Sequence, residues 1–116
     1  MKGKFVFFLP ELRDPKALLL DLIGPEGELR EGGVRKLSED ELIRLAPEWD
    51  ALLITSREQI TGRVIEAAAR LRIIAKIGVG VENIDIPAAT RRRIPVTNCP
   101  GQNAVAVAEA ALALML

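Results

Sequence analysis

The residues best suited to chemistry lie in the segment KIGVGVEN, which runs from Lys76 to Asn83. Two glycines flank Val79, so the main-chain amides of Val79 and Gly80 can face an anion at the end of a strand. Lys76 can bring a positive charge to the same place. A plain tight turn explains two close glycines more commonly, and a lysine near a strand end is more often solvated. The pattern alone therefore leaves an anion site and an unliganded turn both open.

This segment does not match the dinucleotide-binding fingerprint G-x-G-x-x-G. Asn83 occupies the position of the third glycine, and no helix is predicted to begin directly after the loop. The stretch NCPGQ, about twenty residues later, contains no acidic side chain to hold a ribose hydroxyl. We therefore expect no cofactor to bind to this chain alone.

Candidate residues elsewhere are fewer. Ser56 and Arg57 follow a predicted strand, where a serine more often caps a turn than binds a ligand and an arginine is often a plain surface residue. Cys99 is the only cysteine, and the chain contains no histidine to activate it. A nucleophile–imidazole pair, a soft-metal site and an intrachain disulfide are therefore excluded. We expect no metal site.

Composition limits the partners. Basic and acidic side chains number 16 each, which gives no net attraction to nucleic acid or to an anionic membrane. Three arginines at 91–93 fall at a predicted helix end, where cations complement the helix dipole, and no aromatic residues accompany them. No stretch reaches the roughly 18 apolar residues of a membrane span. We expect a cytoplasmic protein that binds neither nucleic acid nor membrane.

The order of elements predicts an α/β fold in a chain of 116 residues, which is long enough for one domain. Asp14, Ser38, Thr61 and Asp85 are the predicted helix N-caps. Alternating strands and helices favour an open parallel sheet with helices on both faces, and ligands then bind beyond the carboxyl ends of the strands. Strands are predicted at 4–9, 51–55, 72–77 and 94–97, a weak strand at 34–37, helices at 14–23, 38–45, 62–70 and 85–92, a loop at 24–33 and a turn at 98–101.

The last predicted helix, from Asn103 onward, is apolar on every side, because Glu109 is the only polar residue between 104 and 116. Such a helix belongs inside a larger body. Either a further domain or a second copy of the chain covers its surface. We therefore divide the chain into a domain at 1–102 and a crossover helix at 103–116.

From about residue 50 to residue 115, the sequence resembles the D-isomer-specific 2-hydroxyacid dehydrogenases. The ordered motifs are G-V-G-x-x-N-I-D from Gly78, A-A-T-R from Ala88, I-P-V-T-N-x-P-G from Ile94 and N-x-x-x-V-A-E from Asn103. Before residue 50 the resemblance rests on element order. It implies a flavodoxin-like substrate domain interrupted by a Rossmann NAD domain, with the apolar helix crossing to that missing domain.

The resemblance also implies roles for single residues. The amides of Val79 and Gly80 would hold the substrate carboxylate, and Asn103 would lie beside the substrate and the nicotinamide. Ser56 joins them as a substrate-binding candidate from its place at a strand end. The family's catalytic arginine, glutamate and histidine have no counterpart here. We therefore expect no catalytic residue in this chain, and hydride transfer between NAD and a small 2-hydroxy or 2-oxo acid only in the complete enzyme.

Two departures from the family pattern matter. Thr55 stands where phosphoglycerate-type members often carry arginine, so the identity of the acid stays open. Arg93 replaces a usual glycine at a helix end, which adds strain if that residue has a positive φ.

One alternative belongs to a different class of function. The chain is then a stand-alone flavodoxin-like binding or assembly module that forms homo-oligomers through its last helix. A flavin-binding flavodoxin is disfavoured, because the chain has no tyrosine and no hydroxyl-rich phosphate loop after its first strand.

Overall fold

A computed structural model describes residues 5–11, 25, 27–33, 35–77 and 80–99 of the chain. The five described strands pair in parallel, in the order β2-β1-β3-β4-β5. This is the flavodoxin-like strand order, so the predicted α/β architecture is confirmed. In chain order the elements are β1 (Phe5–Glu11), β2 (Gly27–Gly33), α1 (Glu39–Leu45), a 3-10 turn (Ala46–Glu48), β3 (Ala51–Ile54), α2 (Gly62–Ala67), β4 (Ile73–Ile77), α3 (Ile86–Arg91) and β5 (Val96–Cys99).

The three described helices lie on one face of the sheet. Each connects two parallel strands while the chain moves in the same direction from β2 to β5, and such crossovers are right-handed. Consistently, α1 contacts α2, and α2 contacts α3. The predicted helices at 14–23 and 103–116 lie outside the described residues, as does the predicted boundary at residue 102. In the described parts of the chain, no helix is long and apolar enough to cross a membrane.

The central strands are buried on both faces. Every residue of β3 is at most 1% exposed, and Leu52 and Ile54 belong to the core beneath the helices. Ala51 and Leu53 point to the opposite face, because side chains alternate along a strand. Just before β3, Trp49 stacks on Phe8 of β1 with ring centroids 4.6 Å apart. A continuous apolar run such as that of β3 is typical of parallel strands that are covered on both sides.

The three described α-helices begin at the predicted caps. Ser38 Oγ accepts from the Glu41 amide at 3.2 Å, and Glu41 Oε1 accepts from the Ser38 amide at 2.8 Å, which completes a capping box. Thr61 and Asp85 cap α2 and α3 through single side-chain bonds, which accept from the amides of Val64 and Ala88. The helix α2 ends at Ala67, earlier than the predicted residue 70.

The end of α3 contains a residue in the left-handed region. Arg93 has a φ of 59°, the conformation in which glycine is favoured. The amides of Arg93 and Ile94 donate to the carbonyls of Thr90 and Ala89 at 3.0 and 2.9 Å, which is a Schellman ending. The sequence predicts strain at Arg93 if its φ is positive, and the structure confirms that condition.

Arg92 closes the end of a different helix. Its Nη1 donates to the carbonyl of Ala68 at 2.8 Å and to that of Ile65, and its Nη2 donates to Ala69 at 3.1 Å. These carbonyls lie in the last turn of α2 or just beyond it, where regular helical hydrogen bonds end, and Arg92 supplies further donors to them. One residue of the arginine run therefore contacts a helix end, as predicted. The helix is α2, however, and not the helix that carries the arginines.

The strand predictions are wrong in three places. Gly27–Gly33, predicted as a loop, forms β2, and residues 35–37, predicted as part of a weak strand, form no strand. Among the described strands, β2 lies at an edge and pairs only with β1, so its glycines and charges are tolerated. Asn98 and Cys99 lie within β5 rather than in a turn, because β5 pairs with β4 through Cys99.

Candidate functional site

The carboxyl ends of β3 and β4 lie side by side, because Ile54 and Lys76 are paired residues of neighbouring strands. Ser56 lies in an exposed bend after β3, and Gly80 is half-buried in the loop after β4. The structure therefore brings these two predicted residues to the same edge of the sheet, where a parallel α/β fold binds its ligands. Val79 and Asn103 lie outside the described residues.

Asn83 ties the two loops together. Its Nδ2 donates to the carbonyl of Thr55 at 2.9 Å and to that of Glu58 at 2.7 Å, and its Oδ1 accepts from Lys76 Nζ at 2.9 Å. The side chain is buried, so these bonds meet the requirement that a buried amide be hydrogen-bonded. Sequence reasoning used Asn83 only as a mismatch to the dinucleotide fingerprint and missed this role. Its place in the G-V-G-x-x-N motif was the available signal.

Lys76 is 1% exposed, so the common expectation of a solvated lysine is wrong for this residue. Its Nζ donates to the carbonyl of Gly80 and to Asn83 Oδ1, both uncharged acceptors. Within the described ranges, Lys76 forms no ion pair with a carboxylate. Its ammonium therefore places a positive charge at the Gly80 end of the loop that follows β4.

Arg57 and Glu58 form a second buried group at this edge. The side chain of Glu58 is fully buried, and its Oε2 accepts from Arg57 Nε at 2.9 Å and from the Leu37 amide at 3.0 Å. Arg57 is itself mostly buried, with 19% of its side chain exposed. The plain surface interpretation of Arg57 is wrong, because this arginine neutralises a buried carboxylate.

Acidic side chains border the loop after β4. The exposed Glu82 carboxylate lies beside Gly80, in the space that a Cβ on that glycine would occupy. A cavity of about 220 Å³ between the two loops is lined by Glu82, Asp85 and Asn83, among other residues. Two carboxylates disfavour an anion in that cavity. An anion site at this edge would therefore be built from the loop itself.

The described residues do not fit a dinucleotide or a metal. A pyrophosphate needs free amides at a helix N-terminus that follows a close glycine turn. Here α3 begins only at Ile86, and the Asp85 carboxylate already accepts from the Ala88 amide at 3.0 Å. Across the portion that the structure describes, no cluster of three or more histidine, cysteine, aspartate or glutamate side chains could hold a metal ion.

Comparison with known proteins identifies the family. Residues 12–113 match the model of the D-isomer specific 2-hydroxyacid dehydrogenase, catalytic domain. The chain belongs to this family. It is 50% identical over 80 residues to D-3-phosphoglycerate dehydrogenase of Synechocystis, and 47% identical over 93 residues to that of Archaeoglobus fulgidus. It is also 45% identical over 80 residues to hydroxypyruvate reductase of Thermotoga maritima.

The matched regions are small parts of these relatives. They cover 69%, 80% and 69% of this chain, but 14%, 17% and 26% of the respective relatives. The chain therefore spans about a quarter or less of the length of each dehydrogenase or reductase that it matches.

Solved structures agree on the fold. The NAD⁺-bound 3-phosphoglycerate dehydrogenase of Entamoeba histolytica superposes with a TM-score of 0.71 at 25% identity, over 97% of this chain and 38% of that chain. The TT0316 protein of Thermus thermophilus superposes with a TM-score of 0.76 at 29% identity, over 84% of this chain and 31% of that one. The predicted family is confirmed, and a stand-alone assembly module is not favoured.

Proposed function

We propose that this chain supplies the carboxylate-binding side of a dehydrogenase that passes a hydride between NAD and a small D-2-hydroxy acid. Membership of the 2-hydroxyacid dehydrogenase family supports the reaction class. The relative from Entamoeba histolytica binds NAD⁺, which supports the cofactor of the complete enzyme. The observation that carries the proposal is the tie through Asn83, which joins the Ser56 loop to the Gly80 loop at adjacent strand ends.

The role of this chain is to bind and orient the acid. We propose that the amides of Val79 and Gly80 donate to the substrate carboxylate, while Ser56 and Asn103 contact the rest of the molecule. A fixed carboxylate, together with these contacts to the rest of the molecule, determines which face of C2 is presented to the hydride donor, and positioning of this kind lowers the entropic part of the barrier. NAD accepts or supplies the hydride, and the groups that move the proton on the C2 oxygen lie outside this chain.

The proposal of a small acid without a phosphate group rests on the absence of a positive charge at position 55. Thr55 is buried and carries no positive charge, although phosphoglycerate-type members often have arginine there. Phosphate recognition usually relies on arginine or lysine. We therefore propose a small 2-hydroxy or 2-oxo acid as the substrate and do not assign a phosphorylated one.

The arrangement of domains is part of the same proposal. Residues 1–102 would form the substrate domain, and residues 103–116 a helix that crosses to an NAD-binding domain. The apolar character of residues 104–116 supports a covered position for this helix, against that domain or against a second copy of the chain. A cytoplasmic location is consistent with the single cysteine.

The proposal is tested by titrating the ¹⁵N-labelled 116-residue chain with oxalate, a stable mimic of a small 2-oxo acid. We expect the largest amide shifts at Val79 and Gly80, and no such shifts with sodium chloride at equal ionic strength. The same chain, mixed with NADH and pyruvate or glyoxylate, should show no turnover. Oxalate shifts confined to other loops would contradict the assigned site, and turnover would contradict the assigned division of roles.

A further inference from the structure

The buried ammonium of Lys76 is an unusual feature of the strand end. Lysine side chains normally extend so that the charged group reaches water. Here the side chain is 1% exposed, and Nζ points to the Gly80 carbonyl and to Asn83 Oδ1. A buried charge is unfavourable unless hydrogen bonds compensate for the lost water. The two uncharged acceptors supply that compensation, so the position of the ammonium and the positions of both acceptors are interdependent.

The bond to Gly80 restrains the residue with the greatest backbone freedom in the loop. Glycine has no Cβ and populates backbone conformations that other residues avoid. By holding the Gly80 carbonyl, Lys76 restrains the peptide plane between Gly80 and Val81. Peptide groups that turn freely would lose conformational entropy when they bind an anion. In a loop that is already held, this entropy has been lost before binding.

The bond to Asn83 carries the same restraint to the neighbouring loop. The Asn83 amide donates to the carbonyls of Thr55 and Glu58, on either side of Ser56 and Arg57 in the chain. Lys76 is therefore the one cation that is bonded, directly or through one side chain, to both loops of the described site. Removing it affects the placement of the Gly80 loop relative to the Ser56 loop.

The charge of Lys76 also matters, because Lys76 forms no ion pair within the described ranges, although the exposed Glu82 carboxylate lies beside Gly80. The other buried cation at this edge, Arg57, is already paired with Glu58 at 2.8 Å. Charge interactions are weakened less in a protein interior than in water. The field of the Lys76 ammonium therefore extends to Gly80, whose carbonyl it binds, and favours a negative group there.

We propose that Lys76 is a positioning residue for the substrate carboxylate. Its ammonium restrains the loop at Gly80 and Asn83, and its charge strengthens the attraction of that loop for a small carboxylate anion. This inference rests on the proposed function of Val79 and Gly80. It assigns to Lys76 no contact with the substrate.

The experiment compares three variants of the 116-residue chain by NMR. Lys76→Arg keeps the charge and the donors, Lys76→Gln keeps a donor without the charge, and Lys76→Met keeps neither. Oxalate is the probe, and the amide shift of Gly80 reports its binding. Hydrogen exchange of the amides from 80 to 83, without oxalate, reports how well the loop is held. The amides of β3 serve as an internal control for the fold.

We expect Lys76→Met to weaken oxalate binding on the order of tenfold, because both the held loop and the local field are lost. Lys76→Arg should stay within about threefold of the original chain, since the charge is kept. Lys76→Gln should weaken binding while protecting the 80–83 amides better than Lys76→Met does. If Lys76→Met does not fold, the comparison of Lys76→Gln with Lys76→Arg decides the matter by the same criteria.

Failure of this inference and failure of the proposed function give different results. If the original chain binds oxalate at Gly80 and the uncharged variants bind it equally well, Lys76 has no positioning role. If the original chain binds no oxalate, the proposed carboxylate site is wrong, and exchange of the 80–83 amides decides whether Lys76 holds the loop. Equal exchange in the original chain and in Lys76→Gln or Lys76→Met would overturn the inference in either case.

Discussion

The side-chain amide of Asn83 donates to the main-chain carbonyl of Thr55 across 2.9 Å, and this bond crosses from one strand-end loop to the next. A second donation, to the carbonyl of Glu58 at 2.7 Å, uses the other hydrogen of the same amide. The position of the Ser56 bend relative to the Gly80 loop therefore depends on this buried side chain, together with the main-chain bridge between Ile60 and Ile84.

Replacing Asn83 with alanine should lower the free energy of unfolding. The change leaves two carbonyls and the Lys76 ammonium without their partner in a buried region. Unmet buried groups of this kind cost about 1–3 kcal/mol each before relaxation, so we expect a loss on the order of 2–4 kcal/mol for Asn83→Ala. Urea unfolding followed by Trp49 fluorescence measures it.

The control for this change lies in the loop after β3. Gln59 is exposed, and Gln59→Ala should change stability by less than about 0.5 kcal/mol. Equal effects of the two substitutions would show that Asn83 does not hold the loops.

Replacing Arg93 with glycine should stabilise the chain. Arg93 has a φ of 59°, a conformation that disfavours residues with a Cβ by about 1 kcal/mol. The Schellman bonds are made by main-chain groups, so glycine retains them. We expect Arg93→Gly to raise the free energy of unfolding by about 0.5–1 kcal/mol, as measured by urea unfolding.

Arg91 provides a matched control for this prediction, because it lies in the last turn of α3 with ordinary helical geometry. Arg91→Gly should destabilise the chain by up to about 1 kcal/mol. Destabilisation by both substitutions would refute the assignment of strain to Arg93.

The Glu41 carboxylate should titrate at an unusually low pH. Arg35 donates to both of its oxygens, at 3.1 and 2.6 Å, and the Ser38 amide donates at 2.8 Å. These bonds, with that of Arg35 foremost, lower the pKa of Glu41 from 4.5 to about 2. Because the folded pKa lies below the unfolded one, the stabilisation is present above about pH 4.5 and is lost as the pH falls through about 2.

Carbon-detected NMR of the Glu41 carboxyl measures this midpoint. Arg35→Gln should raise it toward 4.5. Arg44→Gln removes an exposed cation from the same helix without touching the capping box and should leave the midpoint unchanged. A midpoint near 4.5 in the original chain would show that the Arg35 bonds do not persist in solution.

The Glu82 carboxylate should oppose anion binding at the loop after β4. It lies beside Gly80 and carries the same sign of charge as the proposed ligand. Removing one nearby negative charge favours an anion by about 1 kcal/mol at an exposed site, so Glu82→Gln should tighten oxalate binding severalfold. Glu66→Gln, an equal change of charge on the exposed side of α2, should not. Equal affinities of these two variants in an oxalate titration would place the anion elsewhere.

The sequence predicts the described fold where the patterns are strong. The runs ALLI and IIAKI read as buried strands, and Ser38 with Glu41 reads as a capping box, because each signal is local in the chain. The edge strand β2 escaped prediction because GELREGG contains three glycines and three charged residues. Its pairing with β1 is a long-range contact that no local pattern reports.

The candidate site was predictable in its location but not in its internal bonds. Parallel topology places Ser56 and Gly80 at one edge of the sheet, and this follows from element order. The burial of Lys76 depends on Asn83 and on the folding of the loop over it, which residue spacing cannot reveal. The buried ion pair between Arg57 and Glu58 could not be predicted either. Neighbouring residues of opposite charge are usually exposed, and only the fold shows that this pair is buried.

The most direct test of the proposed function is a hybrid enzyme. In it, the 116 residues of this chain replace the matched region of the Thermotoga maritima hydroxypyruvate reductase, and NADH consumption is followed with hydroxypyruvate, pyruvate and glyoxylate. We predict turnover of at least one of these acids and, for the chiral products glycerate and lactate, oxidation of the D but not the L isomer in the reverse direction. A folded hybrid that binds NADH yet reduces none of them, or that acts on the L isomer, would contradict the account.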